Sequence, residues 1–180
     1  MNPFRPLQRL FFLSCVVSTT SVALGQGQIA TGTLSSSGAG PYSYLLTFSD
    51  AAGATSPIGS VWYAWVPGSF YLPAVPTSAS SPAGWTATIS ANSIQYVANS
   101  AANDILPGHT LSGFGYLANF TPAQLNAAPN SGVSVAYSGG LFSDGGYTFT
   151  VTQAVPEPSA LGLLVIGCGL LTRFRGKRAE

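Results

Sequence analysis

Asp144-Gly145-Gly146-Tyr147-Thr148-Phe149-Thr150-Val151-Thr152 is the stretch on which the fold turns. Tyr147, Phe149 and Val151 alternate with Thr148, Thr150 and Thr152. A period of two places the rings and the valine on one face and the threonines on the other, as in a strand with one face buried. Asp144-Gly145-Gly146 supplies residues that tolerate positive φ, as a tight turn into the strand requires.

The same period recurs upstream. Tyr42, Tyr44, Leu46 and Phe48 alternate with Ser43, Leu45 and Thr47, and Trp85, Ala87 and Ile89 alternate with Thr86, Thr88 and Ser90. Ile94, Tyr96 and Ala98 resume the pattern after Ala91-Asn92, which predicts a hairpin. Val133, Val135 and Tyr137 are expected to face inward, opposite Ser134 and Ser138. Val61 to Val66, with Trp62, Tyr63 and Trp65, is apolar on both faces and is expected to form one central strand. Leu111 to Leu117 follows the Pro107-Gly108 turn. Ser35 to Gly40 and Thr77 to Pro82 read as loops.

A single short helix is predicted. Thr121-Pro122-Ala123-Gln124 combines an N-cap, a proline at the first helical position and a glutamine placed to complete a capping box, and Pro129 stops the helix. Many short strands punctuated by Gly, Pro, Asn and Ser predict an all-β fold, a single antiparallel β-sandwich of immunoglobulin-like or jelly-roll type. About 130 residues suffice for one core.

Only 6% of the 180 residues are charged, and all six Lys and Arg lie at the two ends. Between Gln26 and Val155 the ionisable side chains besides tyrosines are Asp50, Asp104, Asp144 and His109. Nothing there could neutralise phosphates, so nucleic acid is excluded as a partner. Cys15 and Cys168 both fall outside that region, leaving its interior without a disulfide.

Residues 1–25 read as a secretory signal peptide. Arg5 and Arg9 precede the apolar Leu10 to Val17, and Ala23 and Gly25 occupy small-residue positions that put the cut before Gln26. A lipoprotein signal ending at Cys15 is disfavoured, because Leu10 to Leu13 is too short an apolar core. Residues 26–153 are the expected exported domain.

Residues 154–180 have a different character. Val155-Pro156-Glu157-Pro158-Ser159 ends any regular structure, since two prolines remove donors and fix φ. Residues 160–172 follow without a charge, and Arg173, Arg175, Lys177 and Arg178 form a basic stop in the tail 173–180. As a helix the apolar run from Leu161 to Leu171 would reach roughly 20 Å with its flanking residues, a short transmembrane span. Cations behind it orient the C-terminus toward the cytoplasm.

This order of parts resembles the PEP-CTERM sorting signal of Gram-negative bacteria: a Pro-Glu-Pro motif, one hydrophobic helix and a basic tail. The resemblance covers about 25 residues, and the tail is less dense in arginine than is usual for such signals. It implies recognition by an exosortase-like membrane protease, after signal peptidase and the general secretion machinery have acted. It implies a precursor in the inner membrane and a mature protein at the cell surface or in the extracellular matrix. The Ser- and Thr-rich strand faces suit a surface in contact with extracellular polysaccharide, and a non-enzymatic protein without a cofactor is expected from the residues available for chemistry.

Catalysis has little to work with. His109 is the only histidine and reads as a turn residue after Pro107-Gly108. A paired-carboxylate mechanism would need Asp50, Asp104 and Asp144 to converge. No D-x-D-x-D-G loop is present for calcium, and one histidine without a cysteine is too little for zinc, so no metal site and no catalytic residue is expected. The candidate ligand-binding residues are Trp62, Trp65 and Tyr71, whose rings could stack on sugar faces. That defines the alternative reading, a carbohydrate-binding module using the stretch from Trp62 to Tyr71. The competing account of the same rings is core packing.

Overall fold

The computed structural model describes residues 27–154. The signal peptide, the sorting motif, the apolar run and the basic tail lie outside the described residues. Within them the chain is all-β: β1 (Ala30–Ser37), β2 (Tyr42–Asp50), β3 (Ser60–Tyr63), β4 (Trp65–Val66), β5 (Ser69–Phe70), β6 (Ser78–Ser80), β7 (Trp85–Ile89), β8 (Ile94–Ala98), β9 (Thr110–Ala118), β10 (Val133–Tyr137) and β11 (Tyr147–Gln153). A 3-10 turn at Ala101–Asn103 and the helix α1 (Pro122–Ala127) complete the described elements. No helix among the described residues is long and apolar enough to cross a membrane.

Nine strands form one sheet in the order β6-β9-β2-β1-β11-β10-β3-β8-β7, and β4 pairs with β5 as a separate ribbon. The sheet folds back on itself. Phe48 of β2 meets Tyr96 of β8 at 6.0 Å between ring centroids, and Phe114 of β9 meets Trp85 of β7 at 5.1 Å. Strands far apart in the sheet order are thereby face to face across the main core.

The wholly antiparallel arrangement expected from the sequence is corrected at one place. β1 and β11 run parallel, with Gly32 opposite Val151 and Leu34 opposite Gln153. A parallel pair needs a long crossover, and here the connection is nearly the whole domain. The predicted hairpin of β7 and β8 is present, pairing Ile89 with Ile94. The bulge where β2 meets β9 falls between Leu46 and Thr47, opposite Gly113, whose φ of 96° is open to glycine at little cost.

Two segments read as loops are strands in part. β1 reaches Ser37, and β6 occupies Ser78–Ser80 at the sheet edge. The interior face of β1 is Ala30, Gly32 and Leu34, too small to show as a hydrophobic alternation. A Cβ at Gly32 would lie 2.8 Å from Val151 Cγ2, so the tight packing on β11 requires glycine there.

The core is rich in buried phenols. Tyr44 stacks on Tyr116 at 4.7 Å, and Tyr63 and Tyr96 are fully enclosed. Each hydroxyl has a partner, as burial demands. Tyr44 donates to the Phe120 carbonyl (2.7 Å), Tyr96 to the Gly115 carbonyl (3.1 Å), and the Tyr63 and Tyr116 hydroxyls pair with one another (3.3 Å). At α1 the expected capping box is formed: Gln124 N donates to Thr121 Oγ1, and Thr121 N donates to Gln124 Oε1. Leu125 anchors the helix to the core.

Candidate functional site

The aromatic stretch is interrupted. Ala64, fully buried, has φ 56° and separates β3 from β4. In an unbroken strand, residues three apart point to opposite faces. The left-handed residue reverses the alternation, so Trp62 and Trp65 share the outer face of the sheet. Their rings stack 3.8 Å apart, with planes 9° from parallel. The irregular backbone is satisfied: Ala64 N donates to Ser134 Oγ (3.1 Å), Ser134 Oγ donates to the Gly132 carbonyl (2.9 Å), and Tyr71 N donates to the Ala64 carbonyl (2.9 Å).

Trp62, Trp65, Val135 and Tyr137 form a second apolar cluster, apart from the main core. The inward facing expected for β10 is therefore corrected. Val135 and Tyr137 are buried against the tryptophans, while Ala136 belongs to the main core and Ser134 is buried beside the Ala64 break. Trp62 Nε1 donates to Ser93 Oγ (2.8 Å), and Ser93 Oγ donates to the Ser90 carbonyl (2.6 Å), anchoring the indole to the turn between β7 and β8.

Phe142 covers this cluster. Its ring meets Trp62 at 5.6 Å and Trp65 at 5.7 Å, both edge to face, and Tyr137 at 5.6 Å. It is nonetheless 61% exposed, and its φ is 65°, a left-handed conformation that costs a bulky residue about 1–2 kcal/mol. Asp144 holds the surrounding loop: Oδ2 accepts from Ser138 N (3.0 Å) and Oδ1 from Gly146 N (2.8 Å). Burial raises the Asp144 carboxyl, but hydrogen bonding from the Ser138 side chain, and then from the main chain of Ser138, Gly146 and Asp144 itself, outweighs it and leaves the group below its ordinary value. Gly146 has no alternative, since a Cβ would lie 2.6 Å from Val135 Cγ1.

The three candidate ligand-binding residues are thus divided. Trp62 and Trp65 are together and buried, one ring face of each occupied by the other, whereas Tyr71 is half-buried against the main core. Phe142 was not evident in the sequence. Its only signal is a pair of large apolar residues, Leu141-Phe142, set between Gly139-Gly140 and Gly145-Gly146. The rings at solvent beside the tryptophan pair are Phe142 and, across β4 and β5, Phe70, which pairs with Trp65.

The ionisable residues are dispersed. His109 is exposed and is linked to Asp50 through the main chain, Asp50 N donating to the His109 carbonyl (3.0 Å). The Asp50 carboxylate is 2% exposed, with Oδ1 3.5 Å from Ile29 N and Oδ2 without a hydrogen-bond partner among the described residues. Burial raises its pKa, partly offset by main-chain hydrogen bonds. Asp104 follows the 3-10 turn, and Asp144 lies in the Phe142 loop. Among the described residues no three His, Cys, Asp or Glu side chains gather to hold a metal. No protein-family model, curated protein or solved structure matches the chain.

Proposed function

We propose that the chain is an exported, non-enzymatic protein of the cell surface or extracellular matrix, delivered by a PEP-CTERM-like C-terminal sorting signal. Signal peptidase removes residues 1–25 during export by the general secretion machinery. The precursor is held in the inner membrane by residues 160–172 with Arg173, Arg175, Lys177 and Arg178 on the cytoplasmic side, until an exosortase-like membrane protease acts at the Val155 to Ser159 motif. The observation that carries this reading is the order of motif, apolar run and basic stop, beginning just after the last strand ends at Gln153.

The domain itself is an immunoglobulin-like or jelly-roll sandwich in this proposal. The packing of Phe48 on Tyr96 and Phe114 on Trp85 across the main core supports that reading.

Mass spectrometry of both ends of the protein from its native host tests the proposal. The mature form is expected to begin near Gln26 and to lack the apolar run and tail, and replacing Pro156, Glu157 and Pro158 by alanine should leave a larger membrane-bound form. Surface-released protein that retains Arg178 overturns the sorting reading.

A further inference from the structure

We propose that the end of the domain where β11 finishes rests on a lipid bilayer surface while the chain is held by residues 160–172. The inference deepens the sorting proposal and rests on its reading of those residues as a membrane span.

The strand directions define two ends. β11 runs parallel to β1, bringing Gln153 level with Leu34, and the other ladders of the nine-stranded sheet are antiparallel. Residues 38–41, 64–77, 90–93 and 119–132 therefore connect strands at the end where β11 finishes, and residues 51–59, 81–84, 99–109 and 138–146 connect them at the other. Charge divides the same way. Asp104, His109 and Asp144 belong to the far connections, and Asp50 closes β2 beside them. The near connections contain no Asp, Glu, Lys, Arg or His. The strand rise over the length of β2 separates the two ends by about 30 Å, well beyond a Debye length of ~8 Å at physiological salt.

The near end also presents apolar surface. Leu72 N donates to the Asn92 carbonyl (3.0 Å) and Thr77 N to the Leu117 carbonyl (2.8 Å), so residues 73–76 bridge from the turn between β7 and β8 to the end of β9. Pro73, Ala74 and Val75 are exposed along that bridge, Val75 at 55%, and Ala39 is exposed in the connection between β1 and β2.

The length of chain beyond the sheet names the occupant. Only residues 155–159 separate Ala154 from the apolar run, so in any conformation Ala154 stays within about 20 Å of residue 160. Contact between this end and the bilayer is then intramolecular, and weak apolar contacts suffice. An uncharged end carries no ionic desolvation cost on meeting lipid. The carboxylates of the far end would carry that cost and would be repelled by anionic headgroups.

The test uses the chain exported by a host without an exosortase-like protease, reconstituted into vesicles of phosphatidylcholine and phosphatidylglycerol. Once the signal peptide is removed its only cysteine is Cys168, so Cys168→Ser allows one fluorophore to be placed at a time through Val75→Cys, Ala39→Cys or Gly145→Cys. Gly145 is the far-end control, where an added Cβ meets nothing within 4 Å. Labels at 75 and 39 are expected to emit to the blue and to be quenched by nitroxide-bearing lipid, and the label at 145 to do neither. Val75→Asp should abolish the lipid quenching at 39. Flotation with the vesicles after a carbonate wash reads the anchor separately. In a chain that floats, labels at 75 and 39 as aqueous as that at 145 overturn the docking and leave the anchor standing. Equal quenching at 145 overturns the orientation, and a blue shift without lipid quenching shows that a second copy, not lipid, covers this end. A chain that does not float overturns the anchor and the docking together.

Discussion

Trp62 and Trp65 lie three residues apart in the chain and yet stack with centroids 3.8 Å apart, because the left-handed Ala64 between them reverses the strand's alternation. The pair is a product of one backbone torsion. A β-branched side chain resists that torsion, and Ala64 is fully buried as well. Ala64→Val is therefore expected to destabilise the fold by about 2 kcal/mol or more and to abolish the exciton coupling of the two indoles in circular dichroism. An unchanged couplet would show that the stack does not depend on residue 64.

Phe142 combines a favourable ring contact with an unfavourable backbone, and two substitutions separate them. Both Phe142→Ala and Phe142→Gly remove the ring from Trp62 and Trp65, which should shift tryptophan emission to the red. The glycine variant should be the more stable of the two by about 1 kcal/mol, since only it is relieved of the cost of φ 65°. Equal denaturation midpoints would mean that the loop relaxes and carries no strain.

The buried tyrosines predict instability at high pH. Burial first, and nearby Tyr42 second, push Tyr44 up to about 12, while burial drives Tyr63, Tyr96 and Tyr116 above the ordinary phenol range. The unfolded chain releases these protons near pH 10 and the folded chain holds them, so the stability they confer is complete below about pH 10 and is lost as pH rises toward 12 and beyond. Denaturation followed across this range should show a steep decline. Tyr44→Phe, which removes a titrating group, should make it shallower, and an identical slope would contradict the assignment.

Asp50 predicts the response to acid. Its pKa is raised by burial, so the folded state takes up a proton before the unfolded state does, and stability rises as pH falls through the folded value. Asp50→Asn keeps an acceptor for Ile29 N and removes the buried charge. The variant should be more stable than the parent at neutral pH by about 1 kcal/mol and should lose this acid response. A lower thermal midpoint would indicate that the carboxylate has a partner the parent fold needs.

Legibility in the sequence followed side-chain size. β2, β7 and β11 announce themselves because apolar residues alternate largely with Ser or Thr, β8 because Ile94, Tyr96 and Ala98 resume that period after the Ala91-Asn92 turn, and β9 because it follows the Pro107-Gly108 turn, while α1 does so through a cap whose chemistry is local. β1 was hidden because contact with β11 leaves room only for small residues such as Gly32, and β6 because Ser78-Ala79-Ser80 has no large side chain to bury. The aromatic stretch misled in a different way. Its composition was evident, but a single positive φ at an alanine decides which rings meet, and alanine carries no signal for that conformation. Phe142 reaches the cluster through a tertiary contact about eighty residues from Trp62, beyond any local pattern.

The parallel pairing of β1 with β11 puts the last strand in the middle of the nine rather than at an edge. Ala154 N still donates to the Leu34 carbonyl at 2.7 Å, so the grip persists to the last described residue. Tension arriving through the C-terminal segment would pull β11 along its own axis, against ladders with β1 on one side and β10 on the other. The bonds of both ladders would then resist together in shear, whereas an edge strand such as β6 would peel away one bond at a time. Force applied at Gln153 is therefore expected to meet more resistance than the same force applied at β6.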